Sequence, residues 1–268
     1  MPMPISYSCA LITGASSGLG EEFALQIAPR AEHLVLVARR ESLLAEVADQ
    51  IRERFPHVAV TVFAYDLGRS DGREQLLEAL LAAGLVPDLL INNAGLGDYG
   101  EFASAEWSKL ESMLRVNIEA LTHLTHRLVP EMIRAGRGAV VQVSSLASAL
   151  PIPDFAVYAA TKAYVTSFSE ALRIELREHG IPVLAVCPGP VKTGFGGVAR
   201  RGEGAREMPA KKSFYVPKAQ VVAESLTALE RDAARIYPGL RTRVAAMALR
   251  SLPMAVLRIF MGFRPRRG

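Results

Sequence analysis

The chain has 268 residues, half of them apolar, which is enough for the core of one large α/β domain. Lys and Arg total 31 against 27 acidic residues, and because the basic excess lies near the C-terminus, nucleic-acid binding is not predicted. Both cysteines, Cys9 and Cys187, lie in apolar runs without metal-ligand spacing, so we expect reduced, buried thiols and no metal site. The N-terminal residues lack a secretory signal, which makes the cytoplasm the expected compartment.

A glycine-rich turn follows the first predicted strand, Cys9 to Thr13. Its glycines are Gly14, Gly18 and Gly20, and an amphipathic helix is predicted from Glu21 to about Ala28. Glycines allow a pyrophosphate to approach the backbone, and the positive end of the following helix favours an anion. A purely structural turn is the alternative, but the position after the first strand of a strand–helix series favours a dinucleotide site.

The second predicted strand, His33 to Ala38, ends in two arginines instead of the acid that usually bonds the ribose 2′-hydroxyl of NAD. An arginine fork suits a 2′-phosphate, so NADP(H) is predicted as the preferred cofactor, with NAD(H) as the alternative. Arg39 is preferred over Arg40 for this contact. Two solvated arginines at a helix start are the competing interpretation.

Two further predicted strands end in polar residues. Asp66 and Leu67 follow the strand Val58 to Tyr65, and Asp66 is a candidate acceptor for the adenine amine or, almost equally, a turn or helix-capping aspartate. The motif Asn-Asn-Ala-Gly at 92–95 follows the strand Asp88 to Ile91. Its amides suit contact with a ribose, but they also suit a turn in which they bond their own backbone.

A polar residue interrupts the second of two helices predicted at Ser104 to Leu114 and Asn117 to Ala135. Asn117 stands in the apolar sequence R-V-N-I-E-A-L. Interior asparagine is unfavourable in a helix and often marks a kink or a bound water.

The segment from Ser145 to Lys162 carries a hydroxyl, a phenol and an ammonium. Ser145 follows the predicted strand Ala139 to Ser144, and a helix starting near Phe155 places Tyr158 and Lys162 on one face. A neighbouring cation is expected to lower the pKa of the phenol. A chance Tyr-x-x-x-Lys pair on a surface helix is the alternative.

Seven predicted strands alternate with helices, which indicates an α/β fold with a doubly wound parallel sheet of the Rossmann type and helices on both faces. We assign residues 1–239 to this domain, with a glycine-rich, basic lid at about 189–217. Residues 240–268 form a basic, apolar helical extension, too rich in arginine to span a bilayer. This extension either lies on an anionic membrane surface or covers the pocket or a subunit interface, and the second interpretation is favoured.

The motifs Thr13-Gly14-x-x-x-Gly18-x-Gly20, Asn-Asn-Ala-Gly at 92–95, Asn117, Ser145, Tyr158-x-x-x-Lys162 and Pro188-Gly189 occur in this order. In these motifs and their order, the chain resembles a short-chain dehydrogenase/reductase over roughly residues 6–239. The resemblance implies that Tyr158 is the general acid or base, and that Lys162 bonds the nicotinamide ribose and lowers the tyrosine pKa. It also implies that Ser145 holds the carbonyl oxygen and that Asn117 holds a water of a proton relay. Ser144 is the neighbouring candidate for the serine, but the spacing of thirteen residues to Tyr158 selects Ser145.

The predicted cofactor-binding residues come from the motifs and from the resemblance. They are Gly14, Ser16, Gly18, Leu19, Gly20, Arg39, Arg40, Asp66, Leu67, Asn93, Ala94, Gly95, Tyr158, Lys162, Pro188, Gly189, Val191 and Thr193. Ser17 stands where some NADP-selective relatives carry a second basic residue, so selectivity rests on the two arginines. The resemblance also implies a homodimer or homotetramer built on the helices beside the active site.

The predicted function is NADP(H)-dependent interconversion of a ketone or aldehyde and an alcohol, with an apolar carbonyl compound as substrate. The candidate substrate contacts are Leu150, Ile152, Phe155, Phe195, Phe214 and Tyr215. The alternative is an NADP(H)-binding regulator or membrane-surface adaptor that uses the same fold. An intact set of four catalytic residues argues against this alternative.

Overall fold

A computed structural model describes residues 6–201 and 214–262. They form one seven-stranded sheet in the order β3-β2-β1-β4-β5-β6-β7, with every neighbouring pair parallel. The strands are β1 (Tyr7–Thr13), β2 (Ala31–Val37), β3 (Ala59–Phe63), β4 (Leu89–Asn92), β5 (Ala139–Val143), β6 (Val183–Val186) and β7 (Arg235–Ile236). The predicted doubly wound Rossmann fold is confirmed.

Helices cover both faces of the sheet, which explains why its central strands are almost entirely buried and mostly apolar instead of alternating. The helices are α1 (Gly18–Ile27), α2 (Glu41–Arg54), α3 (Ser70–Ala82), α4 (Trp107–Leu114), α5 (Leu121–Ala135), α6 (Ala156–Leu176), α7 (Phe195–Val198), α8 (Lys218–Glu230), α9 (Leu240–Ser251) and α10 (Met254–Gly262). One core packs α1, α2 and α8 against the sheet, and the other packs α3 and α5 against the opposite face. Cys9 and Cys187 are buried and unpaired, as expected.

The crevice of the fold lies where the chain order reverses, because β1 pairs with β2 on one side and with β4 on the other. The carboxyl ends of these strands bring the glycine turn, the 92–95 motif and the segment after β5 to one edge of the sheet. Ligands of open parallel sheets bind at this position.

Some boundaries differ from the predictions. The helix predicted from Ser104 to Leu114 starts instead at Trp107. Residues Phe102–Ser104 form a separate 3-10 turn before it. The two predicted helices are joined by a π-helical segment, Arg115–Ala120, so that the helical conformation continues from α4 into α5. The predicted lid contains α7, and its residues 202–213 lie outside the described residues, as do residues 263–268 of the extension. Within the described ranges, each helix is too short or too polar to cross a bilayer.

Candidate active site

The glycine turn is locked against the end of β4 by short contacts. The Thr13 hydroxyl accepts hydrogen bonds from the amides of Asn93 and Ala94, both at 3.0 Å, and the Asn93 side chain donates to the Thr13 carbonyl at 2.9 Å. A Cβ on Gly20 would lie 2.2 Å from the Gly14 carbonyl oxygen, and one on Gly14 would lie 2.9 Å from Ala94 Cα. Asn93 therefore braces the turn with its side-chain amide nitrogen, which is the structural alternative considered for this motif, and the ribose contact stays a prediction.

The start of α1 has the properties of an anion site. Gly14 and Gly18 adopt φ angles of +67° and +65°, which glycine tolerates best. The N-cap residue Ser17 makes no side-chain capping bond, so the first N–H groups of the helix are available to a ligand. A cradle too narrow for side chains beside a helix N-terminus fits the pyrophosphate of a dinucleotide.

Of the two arginines after β2, Arg40 approaches the glycine turn. Its guanidinium donates to the hydroxyls of Ser16 at 3.0 Å and Ser17 at 2.8 Å. Arg39 is exposed and makes no hydrogen bond or ion pair with the rest of the described chain. The preference for Arg39 thus has no support in the contacts, which place Arg40 beside the turn.

Asp66 and Leu67 have structural partners. One Asp66 carboxylate oxygen accepts from the Gly68 amide at 2.9 Å, which forms the aspartate turn considered as the alternative. Leu67 is buried in the core under α3.

Tyr158 and Lys162 lie on one face of α6, one turn apart, and both are buried. The Lys162 ammonium donates to the Val143 carbonyl at the end of β5, at 2.8 Å, and lies 5.8 Å from the centroid of the Tyr158 ring. A Cβ on Gly95 would lie 3.4 Å from this ammonium, so glycine leaves the space beside Lys162 open.

Burial is the largest cause of the pKa shifts of Tyr158 and Lys162. It raises the pKa of Tyr158 to about 12, against a smaller lowering by its hydrogen bond with Ser145, and it lowers the pKa of Lys162 to about 8. The expected lowering of the Tyr158 pKa is therefore not found in the protein without ligand, because desolvation outweighs the only lowering cause, the hydrogen bond with Ser145. At pH 7 the phenol holds its proton and the ammonium its charge.

The two adjacent serines after β5 have different partners. The Ser144 hydroxyl donates to the Lys162 carbonyl at 2.8 Å and lies 2.7 Å from the Thr166 hydroxyl, inside the core. Ser145 hydrogen-bonds with the Tyr158 phenol, and its oxygen also accepts from the Ala147 amide at 3.1 Å. Ser145 is thus the serine that contacts the hydroxyl of Tyr158, and it is the serine that the thirteen-residue spacing selects.

Asn117 occupies the π-helical segment, so the predicted helix distortion is present. Its buried side chain accepts from the Leu96 amide at 2.8 Å, and donates to the Leu96 carbonyl at 2.9 Å and to Thr161 at 3.0 Å. Thr161 donates in turn to the Tyr158 carbonyl at 2.8 Å. Asn117 thereby ties the loop after β4 to the helix that carries Tyr158.

Aromatic side chains enclose the Tyr158 ring. Phe155 stacks on it with ring centroids 4.1 Å apart, and Phe195 of α7 lies at 5.5 Å. Tyr99 contacts Phe155 edge-on at 5.8 Å, and Ile152 packs beside them. We call Tyr99, Ile152, Phe155 and Phe195 the aromatic wall. Three of the predicted substrate contacts lie outside it, namely Leu150, Phe214 and the exposed Tyr215.

An ion pair ties Arg201, which follows α7, to the loop after β4. Arg201 contacts both carboxylate oxygens of the buried Asp98, at 2.5 to 3.0 Å, and donates to the Glu101 carbonyl at 2.6 Å. The Tyr99 amide donates to the Ala199 carbonyl at 2.8 Å. A Cβ on Gly97 would lie 2.7 Å from the Phe195 ring, so this glycine lets α7 approach.

The residues after β6 frame the crevice from the other side. The Pro188 carbonyl accepts from the Leu146 amide at 2.8 Å, and Gly189 packs against Thr242 of α9. Val191 pairs with Val216 in a short bridge. A Cβ on Gly18 would lie 3.4 Å from the Thr193 side chain, an ordinary van der Waals distance, so Thr193 closes over the glycine turn.

Four residues of the candidate site were not identified from the sequence. They are Thr13, which holds the glycine turn against the 92–95 motif, Tyr99 of the aromatic wall, and the ion pair of Asp98 and Arg201. Thr13 belongs to the glycine motif, so its position carried a signal. The other three lie in loops without periodicity, and each meets a partner far away along the chain.

Comparisons with known proteins agree with this geometry. Residues 8–204 match the family of short chain dehydrogenases. A very-long-chain 3-oxoacyl-CoA reductase-like protein of Arabidopsis thaliana is 34% identical over 231 residues, which is 82% of this chain and 69% of that protein. The chain also matches very-long-chain 3-oxoacyl-CoA reductases of Laccaria bicolor and Ajellomyces capsulatus, and the matched regions span 52% of each.

Solved structures show the same fold. A short-chain dehydrogenase from Sphingobium yanoikuyae in complex with NADPH superposes with a TM-score of 0.79 and 30% identity, covering 97% of this chain and 98% of that one. A short-chain dehydrogenase/reductase from Burkholderia phymatum in complex with NAD gives 0.80 and 25%, with 99% of both chains covered. This chain belongs to the short-chain dehydrogenase/reductase family. It is an oxidoreductase that acts on CH–OH or C=O groups with a nicotinamide cofactor.

Proposed function

We propose that this protein reduces an apolar ketone or aldehyde to an alcohol, reversibly, with NADP(H) as the preferred cofactor. The observation that carries the proposal is the grouping of the buried Tyr158 and Lys162 with the half-buried Ser145, beside a glycine turn that fits a pyrophosphate. A binding protein without catalysis would not need a buried phenol that hydrogen-bonds with a serine. An enzyme is therefore favoured over a regulator or adaptor.

The bound cofactor supplies the hydride for the carbonyl carbon. Ser145 and Tyr158 hold the carbonyl oxygen, and as negative charge develops there the Tyr158 phenol gives up its proton. Burial raises the pKa of this phenol to about 12, so the proton is present at neutral pH but the phenolate needs a stabilising charge when the proton leaves. Lys162 holds the ribose hydroxyls with its charged ammonium and stabilises the phenolate that forms. Through Thr161, Asn117 fixes the turn of α6 that carries Tyr158. Asn117 also holds the water that returns a proton to the Tyr158 phenolate.

The substrate class follows from the aromatic wall. Tyr99, Phe155 and Phe195 offer apolar ring surface around the reacting phenol and few polar groups that would recognise a sugar or an amine. The relatives named above as 3-oxoacyl-CoA reductases make long-chain 3-oxoacyl thioesters the first class to test.

The preference for NADP(H) rests on the two arginines after β2. Arg40 lies on the hydroxyls of Ser16 and Ser17, and Arg39 beside it is exposed. Together they present a cationic surface without an acid, which suits a 2′-phosphate. Fluorescence titration should show tighter binding of NADPH than of NADH. Replacing Arg40 with Gln should reduce this ratio more than replacing Arg39, and equal or tighter NADH binding by the natural protein would refute the preference.

The proposal also includes an oligomer and a contact with a membrane. Trp107 and Tyr164, exposed on the helices beside the site, support a homodimer or homotetramer, which light scattering after size exclusion would measure. The basic C-terminal segment supports a peripheral contact with a membrane.

The decisive test of the function is Tyr158→Phe in a carbonyl panel followed by NADPH absorbance. Turnover should fall by at least about a thousandfold, because the proton donor is lost, while NADPH affinity stays within about twofold. Turnover retained in the variant would sink the mechanism. A panel without any reduced compound for the natural protein would sink the activity itself.

A further inference from the structure

The helix that follows the last strand has two apolar faces. Thr242 and Ala246 of α9 point inward, where Thr242 packs on Gly189 and Ala246 joins Cys187 and Tyr237 in a small core. Leu240, Val244 and Met247 point outward and are 72%, 53% and 56% exposed. At 3.6 residues per turn these three fall within about 60° of one another, so they form a single stripe.

Arginines border this stripe on both sides. Arg241 lies on one flank and Arg243 on the other, both exposed, with Arg243 only loosely paired to Glu224 at 3.9 Å. An exposed apolar stripe between cationic borders is the pattern of a helix that lies in the headgroup region of a bilayer, with the arginine stems reaching up to the phosphates. We call Leu240, Arg241, Arg243, Val244 and Met247 the outer face of α9.

The charge distribution selects the partner. Residues 240–268 contain seven arginines and no acidic residue, whereas residues 1–239 contain 24 basic and 27 acidic residues. The positive charge of the protein thus belongs to the segment that carries the exposed apolar stripe. A second copy of the chain would place this arginine-rich face against itself, with like charges opposed, unless acidic groups covered it.

We propose that the outer face of α9 binds the surface of an anionic bilayer. The inference names the contact face for the peripheral contact included in the proposed function. The inner side of the same helix supports Gly189 and the turn Leu146–Ala149 beside the active site. Docking through α9 therefore places the mouth of the site close to the lipid, where an apolar carbonyl substrate is concentrated.

Co-sedimentation with vesicles tests the proposal. We expect the full-length protein to bind phosphatidylcholine vesicles that contain phosphatidylglycerol, to bind pure phosphatidylcholine at least about tenfold more weakly, and to be released by raising the salt concentration about tenfold. Val244→Glu/Met247→Glu should weaken binding to the anionic vesicles at least about tenfold. Leu81→Glu/Val86→Glu is the matched control, because both positions are exposed and apolar on another part of the surface, and it should bind like the natural protein.

Several outcomes would overturn the proposal: no binding of the natural protein, equal binding to neutral vesicles, or equal loss in the control. A shift of Val244→Glu/Met247→Glu to a smaller oligomer without any vesicle binding by the natural protein would assign the face to a subunit contact. Should this variant fail to melt cooperatively, Arg241→Gln/Arg243→Gln takes its place and should weaken binding and flatten its salt dependence.

Carbonyl reduction measured without vesicles separates this inference from the proposed function. Activity in buffer should be the same in the natural protein and in both glutamate variants. Vesicle binding without reductase activity would refute the function and leave the contact face standing, and the reverse result would refute only the contact face.

Discussion

The two sides of the active site are held by different kinds of contact. On the cofactor side, the turn of Gly14 and Gly20 meets Thr13 and Asn93 through short bonds to the backbone, and a single added methyl would overlap a carbonyl oxygen. On the substrate side, the aromatic wall is held by ring packing and by the pair of Asp98 and Arg201. Backbone contacts leave no freedom to vary the turn, whereas a wall of side chains accepts changes of size. We therefore expect the glycine turn to tolerate fewer substitutions than the aromatic wall.

The largest effect is expected on the cofactor side. Gly20→Ala would place a methyl 2.2 Å from the Gly14 carbonyl oxygen, which has no room to move. We expect NADPH affinity to fall at least about a hundredfold, with a lower melting temperature as well. The control is Gly196→Ala in α7, where a Cβ meets nothing within 4 Å and affinity should be unchanged. Normal NADPH binding by Gly20→Ala would show that the turn is less rigid than its contacts indicate.

Lys162 lies where the two sides meet, and its burial makes stability depend on pH. Because its pKa falls from 10.5 in the unfolded chain to about 8 in the folded protein, folding releases its proton between these values. Below pH 8 the buried ammonium costs free energy, and this cost disappears as pH rises to 10.5. At pH 7 the free energy of unfolding of Lys162→Met should therefore exceed that of the natural protein by on the order of 3 kcal/mol. The loss of the hydrogen bond to the Val143 carbonyl reduces this gain.

This pH dependence is measured by urea unfolding of the natural protein and of Lys162→Met between pH 7 and pH 10.5. The difference in free energy of unfolding should change by about 3 kcal/mol across the window, in favour of the natural protein as pH rises. A constant difference would mean that the lysine keeps its ordinary pKa.

The ion pair of the substrate side can be broken separately. Arg201→Met leaves the Asp98 carboxylate, 3% exposed, without its guanidinium. We expect a loss of about 2 kcal/mol in the free energy of unfolding and a raised KM for the carbonyl substrate, with NADPH affinity unchanged. Arg134→Met removes an exposed arginine that pairs with Glu131, and it should change neither stability nor KM measurably. Equal effects of the two variants would show that the pair of Asp98 and Arg201 does not hold the segment around α7 in place.

The smallest expected effect concerns the wall. Phe195→Ala removes one ring from the side of Tyr158. For a bulky apolar ketone, kcat/KM should fall by about tenfold, which corresponds to about 1.4 kcal/mol, and small aldehydes should be less affected. Tyr215→Ala changes an exposed aromatic of the same segment outside the wall and should leave kcat/KM within twofold or so. A weaker NADPH affinity in Phe195→Ala would contradict the separation of the two sides.

The sequence by itself determined the order of strands and helices, the glycine turn, the pairing of Tyr158 with Lys162 and the distortion at Asn117. These features are local, because glycine spacing, helix periodicity and a misplaced polar residue act within a few positions of the chain. The choice of Ser145 over Ser144 was also available from spacing along the chain.

Only the tertiary structure decided the rest. The raised pKa of Tyr158 depends on how completely other segments bury it, and no local pattern reports that. Arg40, and not Arg39, contacts the serines of the glycine turn, and the adjacent positions of the two arginines in the sequence could not distinguish them. The wall and the pair of Asp98 and Arg201 join loops that are distant in sequence, so their contacts exist only once the sheet has brought those loops to one edge.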